Sequence, residues 1–229
     1  MKIICITNRH LCKTDFFEQI EHICKRNLYA LILREKDLND KTYEEFAVKC
    51  NDICKKHNIL FFINTKINIA QQLNIKNIQF SFKDFLDNKN ILSSFDNVAV
   101  SVHSLQEAEI VEDWKIAAAM YDKSQLRNKQ TDYRMDKSSR NDKPNLFLIA
   151  GHIFETECKK GLQPRGTKFL KEICDNIKIQ VFAIGGINEK TVNQLKDINI
   201  EGVCLMSLLM ENIPKTIFKN FNSYKNIKS

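Results

Sequence analysis

The stretch that decides the fold is QVFAIGGINEKTVNQLKDINIEGVCLMS, residues 180–207. It contains two short apolar runs, the first ending at paired glycines and the second at a serine, with a polar segment between them. Near-continuous runs of Ile, Val, Leu and Phe are typical of strands that are buried on both faces. The stretch therefore predicts a strand, a helical crossover and a second, parallel strand.

The same alternation runs through the rest of the chain. Eight apolar runs predict strands, at Lys2–Asn8, Leu28–Arg34, Ile59–Thr65, Asn77–Ser81, Asn97–His103, Leu146–Ile153, Gln180–Ile187 and Gly202–Ser207. Helical patterns are clearest at Thr42–His57, Leu105–Trp114, Thr167–Asn176 and Glu189–Asp197. Ser104 and Glu107 have the spacing of a capping box before the second of these helices, and Asn188 is a candidate N-cap for the last.

Strands that each precede a helix or a short substitute predict an α/β protein, a single (β/α)₈ TIM barrel. An open, doubly wound sheet is the alternative, but the turn after the first strand, residues 7–10, has no glycine. The 229 residues suit one domain of this size class. We assign residues 1–213 to the barrel and residues 214–229 to a C-terminal helix and basic tail.

A polar insertion interrupts the alternation before the sixth strand, at about residues 115–145. We expect it to be a mobile or partly helical excursion at the amino-terminal face of the barrel rather than a second domain, with an interaction element as the alternative. Residues 115–143 have eight basic and four acidic side chains, and residues 214–229 have four lysines and no acid. Each segment therefore has a charge of +4, and subtracting both from the total of +7 leaves −1 for the rest. A nearly neutral barrel disfavours nucleic acid as a partner.

Other functional classes are disfavoured by composition. No apolar run approaches the ~20 residues that span a bilayer, and the first ten residues do not resemble a signal peptide. We therefore expect a cytoplasmic protein with no membrane partner. The eight cysteines contain no Cys-x-x-Cys pair, so we expect reduced thiols rather than disulfides or a metal site.

The carboxyl ends of the last two strands predict a phosphate site. Gly185 and Gly186 close strand seven and allow backbone N–H groups to approach an anion without an intervening Cβ. Ser207 closes strand eight, where a short helix would direct further N–H groups to the same point. Loops after strands seven and eight form the recurrent phosphate site of TIM barrels. The alternative is that the glycines only make a tight turn.

Two further strand ends hold residues suited to acid–base chemistry or anion binding. His152 follows strand six, and an imidazole can move a proton near neutral pH or simply hydrogen-bond the loop. Arg34 and Lys36 follow strand two, where they could bind a carboxylate or phosphate. An ion pair between Arg34 and Glu35 is the alternative.

Four segments resemble the thiamine phosphate synthase superfamily, and more narrowly its thiazole tautomerase (TenI-like) branch. They are GHIFETECKKGLQPRG (residues 151–166), LREKDL (33–38), SVHSLQEAE (101–109) and AIGGIN (183–188). The resemblance covers the chain apart from the insertion and the tail. It implies thiamine biosynthesis and a proton-transfer isomerase that aromatises a thiazole carboxylate phosphate without a cofactor.

The resemblance aligns the catalytic histidine of the tautomerase branch with His152. We expect Gly185, Gly186 and Ser207 to hold the substrate phosphate, and five other residues to contact the substrate: Arg34, Lys36, Asn64, Thr156 and Lys159. The expected partner is a small phosphorylated thiazole, with a homo-oligomer left open.

Two alternatives remain at this stage. The first is the superfamily's transferase, a thiamine phosphate synthase that joins a pyrimidine diphosphate to a thiazole phosphate with Mg²⁺. The resemblance matches its two metal-binding aspartates to Thr65, which has no carboxylate, and to Asp84. Loss of one carboxylate disfavours a diphosphate reaction that depends on a hard cation. The second alternative is a non-catalytic regulatory protein that binds thiazole phosphate.

Overall fold

A computed structural model describes residues 1–128, 144–211 and 213, and it omits the side chains of residues 119–128 and of Cys158. Within these ranges eight strands pair in sequence order, and β8 pairs with β1 to close the barrel. Every pairing is parallel. The closed arrangement confirms the predicted TIM barrel and excludes the open sheet.

All eight predicted strands are present. Their bounds are β1 Lys2–Ile6, β2 Ala30–Leu33, β3 Leu60–Asn64, β4 Asn77–Ser81, β5 Asn97–Val102, β6 Asn145–Gly151, β7 Gln180–Ile184 and β8 Gly202–Leu205. Seven of them end one to three residues before their predicted ends. Apolar residues such as Ile153 and Ile187 lie beyond the strand ends and are buried in the loops. For this reason hydropathy alone predicts strands that are too long.

The helices surround the barrel. Their bounds are α1 Phe16–Cys24, α2 Asp40–Lys56, α3 Ile67–Gln72, α4 Phe82–Asp87, α5 Leu105–Asn128, α6 Gly166–Asn176 and α7 Ser207–Glu211. The helix predicted over residues 189–197 is wrong in extent, because only the 3₁₀ turn Val192–Leu195 forms there. Asn188 nevertheless accepts from the backbone N–H groups of Lys190 and Thr191, as a cap would.

Part of the polar insertion is helical, because α5 continues to Asn128. Ser104 Oγ accepts from the Glu107 amide at 3.1 Å, as the capping box predicts, whereas the Glu107 carboxylate accepts from the amide of His103. The remainder of the insertion, residues 129–143, and the predicted helix and tail at 214–229 lie outside the described residues. No helix in the described ranges is both long and apolar enough to cross a membrane.

The strands are continuous apolar runs in sequence because each strand lies between two apolar layers. Alternate strand residues face the barrel interior, where Phe62, Phe147 and Phe182 pack together with smaller side chains. The other residues of each strand face the helices and form a larger outer core. Since both faces are buried, polar side chains are confined to the strand ends. The seven cysteines whose side chains are described are free thiols.

Candidate active site at the carboxyl end of the barrel

The loops that follow β6 and β7 are joined by backbone hydrogen bonds. The Ile153 amide donates to the Ile184 carbonyl oxygen at 2.8 Å, and the Phe154 amide donates to the Gly185 carbonyl oxygen at 3.0 Å. These bonds continue the β6–β7 ladder beyond its last paired residues, Gly151 and Ile184. The chain that carries His152 is therefore fixed against the glycine pair.

Glycine is required at both positions of the pair. Gly185 has φ +101° and Gly186 has φ +65°, conformations that side chains rarely adopt. A Cβ at Gly185 would overlap the Cα and Cβ of His152, and one at Gly186 would overlap the backbone of Phe154 and Glu155. Neither glycine donates its amide N–H to another described residue. Two N–H groups thus remain available to an anion, as the predicted phosphate site requires.

Ser207 lies at the neighbouring strand end. β7 and β8 pair from Phe182–Gly202 to Ile184–Cys204, and α7 begins at Ser207 two residues beyond β8. Its side chain is half-buried. The three predicted phosphate-binding residues therefore follow adjacent strands, although their role stays a prediction.

His152 is buried beside this site, with a residue exposure of 6%. Its Nε2 lies 3.4 Å from the Leu162 carbonyl oxygen, and its own carbonyl accepts from the Arg165 amide at 3.0 Å. The peptide bond that precedes it is cis. The loop that follows β6 folds back over the imidazole, so His152 is held between that loop and Gly185.

Two guanidinium groups act electrostatically on Lys159 at the carboxyl end of the barrel. Burial lowers the pKa of Lys159, and the guanidinium groups of Arg165 and Arg34 lower it further. Arg34 follows β2, whereas Lys159 and Arg165 both belong to the loop between β6 and α6, so two loops contribute to this cationic cluster. Such a cluster favours a bound anion, because like charges repel until an anion neutralises them. Arg165 was not predicted, although it lies in the quoted segment GHIFETECKKGLQPRG.

The alternative role for Arg34, an ion pair with Glu35, is wrong. The buried Glu35 carboxylate accepts from the backbone N–H of Arg9 at 3.0 and 3.1 Å and from its Nη1 at 3.2 Å. Arg9 also binds Asp37, and that guanidinium holds the pKa of Asp37 well below its usual range. Arg34 donates its amide to Thr7 Oγ1 at 2.9 Å, which leaves its guanidinium for the cationic cluster.

The other predicted substrate-binding residues are placed differently. Lys36 is exposed and forms no ion pair with a described residue. The Thr156 carbonyl accepts from the Lys159 amide and so helps to shape the β6 loop. Asn64 is buried at the end of β3, where its amide nitrogen donates to Gln79 Oε1. Its side-chain nitrogen is therefore already used inside the barrel, and a role in substrate binding stays untested.

The residues present do not fit a Mg²⁺ site of the kind expected for the transferase. Thr65 supplies no carboxylate, and it has φ +58°, which is unusual for a β-branched residue. Asp84 is committed to its own helix, because its Oδ2 accepts from the amide of Ser81 at 3.3 Å and from its hydroxyl at 2.6 Å. In the described parts of the chain no three His, Cys, Asp or Glu side chains cluster as metal ligands would.

Comparison with solved structures first defines the class of fold. The chain resembles a thiamine phosphate pyrophosphorylase from Pyrococcus furiosus with a TM-score of 0.68 at 19% identity, over 99% of this chain and 94% of that one. A second thiamine phosphate pyrophosphorylase, from Bacteroides thetaiotaomicron, is similar with a TM-score of 0.56 at 16% identity, over the full length of both chains. At these identities the likeness concerns the barrel fold alone.

Sequence comparison then defines the family. A family model described as thiamine monophosphate synthase matches residues 3–122 and 125–209. A thiamine-phosphate synthase from Fusobacterium nucleatum is 30% identical over 229 residues, which cover 96% of this chain and 97% of that protein. A thiamine-phosphate synthase from Clostridium acetobutylicum is 27% identical, over 90% of this chain and 85% of that protein. The chain belongs to the thiamine monophosphate synthase family.

Membership confirms the predicted superfamily and supports a place in thiamine biosynthesis. The names of the relatives correspond to the transferase, which the sequence analysis held as an alternative, and not to the tautomerase branch. The choice between the two reactions therefore depends on the residues of the site itself.

Proposed function

We propose that this chain is an isomerase of thiamine biosynthesis that moves a proton within a phosphorylated thiazole carboxylate. The observation that carries the proposal is the buried His152, held against the positive-φ pair Gly185 and Gly186. In this proposal a proton carrier lies directly beside two backbone N–H groups that donate to no described residue. The arrangement requires no metal, in keeping with Thr65 and the capped Asp84.

The proposed reaction balances as one proton removed and one returned. The imidazole of His152 takes the proton from the saturated ring carbon that bears the carboxylate, and the resulting imidazolium returns a proton to the exocyclic ylidene carbon. The double bond moves into the ring, which becomes aromatic. A positioned acid–base group typically contributes ~10²–10⁴-fold to such a step.

We propose separate binding groups for the two ends of the substrate. The amides of Gly185 and Gly186, with Ser207, would bind the phosphate. The cationic cluster of Arg34, Lys159 and Arg165 would bind the carboxylate, and Arg34 could do so through two parallel hydrogen bonds. The expected partner is thus a small dianionic or trianionic molecule in the barrel mouth.

The first experiment tests the proton carrier. We expect His152→Ala to lower the isomerisation rate by at least ~10²-fold while the Kd for the thiazole phosphate product changes little. His22→Ala is the matched control, because His22 is exposed on α1 outside the barrel. A His152→Ala protein of wild-type rate would exclude the proposed mechanism. A wild-type protein that binds the phosphate and leaves the ylidene isomer unchanged would indicate a non-catalytic, regulatory role.

The second candidate is the transferase, thiamine phosphate synthase, favoured by the names of the relatives. The second experiment separates the two by supplying a pyrimidine diphosphate with a thiazole phosphate and measuring pyrophosphate release with Mg²⁺ and with excess chelator. We expect no release under either condition and isomerisation that is insensitive to chelator. We also expect Thr65→Asp to leave isomerisation unchanged. Magnesium-dependent pyrophosphate release by the wild-type protein would instead establish the transferase.

A further inference from the structure

A second histidine lies next to His152 at the carboxyl end of the barrel. The β5–β6 ladder ends at the pair Val102–Ala150, and His103 is the next residue of β5's chain. Its Nδ1 lies 2.5 Å from the carbonyl oxygen of Gly151, in the peptide group that directly precedes His152. A side-chain hydrogen bond thus continues the ladder where the backbone pairing stops.

Hydrogen bonds hold the backbone on either side of His152. The Gly151 carbonyl accepts from His103, and the His152 carbonyl accepts from the Arg165 amide. The Ile153 and Phe154 amides donate to the carbonyls of residues 184 and 185. Of these four bonds only the one from His103 comes from a side chain, so it is the one that a substitution can remove.

The acceptor determines the tautomer of His103. A carbonyl oxygen only accepts hydrogen bonds, so Nδ1 must carry the hydrogen, and in the neutral ring Nε2 is unprotonated. The Glu107 carboxylate accepts from the backbone N–H of His103 at 2.6 Å, which fixes that residue against the first turn of α5. The backbone of His103 is therefore anchored to α5, and its imidazole is directed at the Gly151 peptide.

We propose that His103 is a positioning residue that orients His152 for proton transfer by holding the Gly151 carbonyl. The proposal rests on the proposed function of His152. Misplacement of a catalytic group by about 1 Å can lower a rate by ~10²-fold, whereas contacts made only with the bound substrate stay intact. His103 thus acts on turnover rather than on substrate binding.

The test compares His103→Asn with His103→Leu. Asparagine can place an N–H donor near the position of Nδ1 but cannot carry a proton in catalysis, and leucine removes the donor. We expect His103→Leu to lower kcat of the isomerisation by about 10- to 100-fold with KM within about twofold of wild type. We expect His103→Asn to restore kcat to within about threefold of wild type.

Two outcomes overturn the proposal. Wild-type kcat in His103→Leu would show that the hydrogen bond does not orient His152. An equal loss in His103→Asn and His103→Leu would show that the imidazole itself takes part in the chemistry.

A spectroscopic measurement keeps the proposal testable if the enzyme has no isomerase activity or if the leucine variant does not fold. Long-range ¹H–¹⁵N spectra of the wild-type histidine rings should show the Nδ1–H tautomer for His103. The same spectra of the variants should show that the His152 ring resonances shift, relative to wild type, in a folded His103→Leu protein. In His103→Asn these resonances should keep their wild-type positions. An Nε2–H tautomer for His103, or an unchanged His152 signal in His103→Leu, would overturn the positioning role whatever reaction is catalysed.

Discussion

At the residue scale, the candidate site depends on backbone conformations that few residues tolerate. Gly185 combines a φ of +101° with a space already occupied by the backbone and Cβ of His152. Gly161, in the loop after β6, has a φ of +82° but open space around its Cα. Comparing substitutions at the two positions therefore separates the free-energy cost of a left-handed backbone from that of a steric overlap.

We expect Gly185→Ala to lower the free energy of unfolding by roughly 2–5 kcal/mol, since it adds overpacking of about 1–3 kcal/mol to a positive-φ cost of about 1–2 kcal/mol. Gly161→Ala should cost only about 1–2 kcal/mol, from the backbone alone. Urea unfolding of both variants measures the difference. Equal losses would show that the approach of His152 to Gly185 is not tight, and would weaken the proposed active-site geometry.

At the element scale, the Glu21 carboxylate on α1 forms ion pairs with two residues at the end of α2. Glu21 on α1 lies 2.9 Å from Lys56 Nζ and 2.9 Å from His57 Nε2, at the end of α2. Hydrogen bonds from Lys56 and then His57 lower the pKa of Glu21 from 4.5 to about 2. The folded protein therefore prefers the ionised carboxylate more strongly than the unfolded chain does.

Because the pKa of Glu21 is lower in the folded protein than in the unfolded chain, ionised Glu21 stabilises the fold. This stabilisation is complete above about pH 4.5 and is lost as the pH falls to about 2. We expect Glu21→Gln to be less stable than wild type at pH 7 and to match it near pH 2. Glu45→Gln is the control, because Glu45 is exposed on α2 and makes no ion pair with a described residue. Chemical denaturation at pH 7, 4 and 2.5 measures both; a Glu21→Gln deficit that is unchanged at pH 2.5 would refute the assignment.

At the scale of the whole molecule, closure of the barrel brings charges together from distant parts of the chain. Arg34 follows the second strand, whereas Lys159 and Arg165 belong to the loop after the sixth. Burial and the two guanidinium groups lower the pKa of Lys159, so its charged form is disfavoured in the absence of an anion. The fold thus holds a repulsive cluster that a bound carboxylate or phosphate would relieve.

We expect Lys159→Gln to stabilise the ligand-free protein at low ionic strength, and the gain to shrink in 1 M NaCl, where the Debye length is only about 3 Å. The same variant should bind the thiazole phosphate product more weakly. Lys160→Gln is the control, because Lys160 is exposed and pairs at 3.5 Å with the exposed Glu157. Thermal unfolding with and without ligand measures both effects. A Lys159→Gln protein that is less stable at low salt, or that binds the product as wild type does, would contradict the anion-binding role.

Periodicity and strand-end position predicted most of the fold and part of the candidate site. They indicate Gly185, Gly186 and Ser207 as candidate binding residues, because TIM barrels place binding groups after their last strands. The same reasoning, applied to the end of the fifth strand, would have indicated His103, which lies in the quoted segment SVHSLQEAE. Glu35 was assigned the wrong alternative partner, because a neighbour in sequence is not always the neighbour in space.

The sequence by itself determined the order of strands and helices, the closed barrel and the family, because these depend on hydropathy and on motifs that are local along the chain. Tertiary structure alone decided that Arg9 holds Glu35, that Arg165 joins Arg34 and Lys159, and that His103 holds the peptide before His152. The physical reason is that these contacts join loops from different strands. Their geometry exists only once the parallel sheet has closed and brought all of its carboxyl ends to one face.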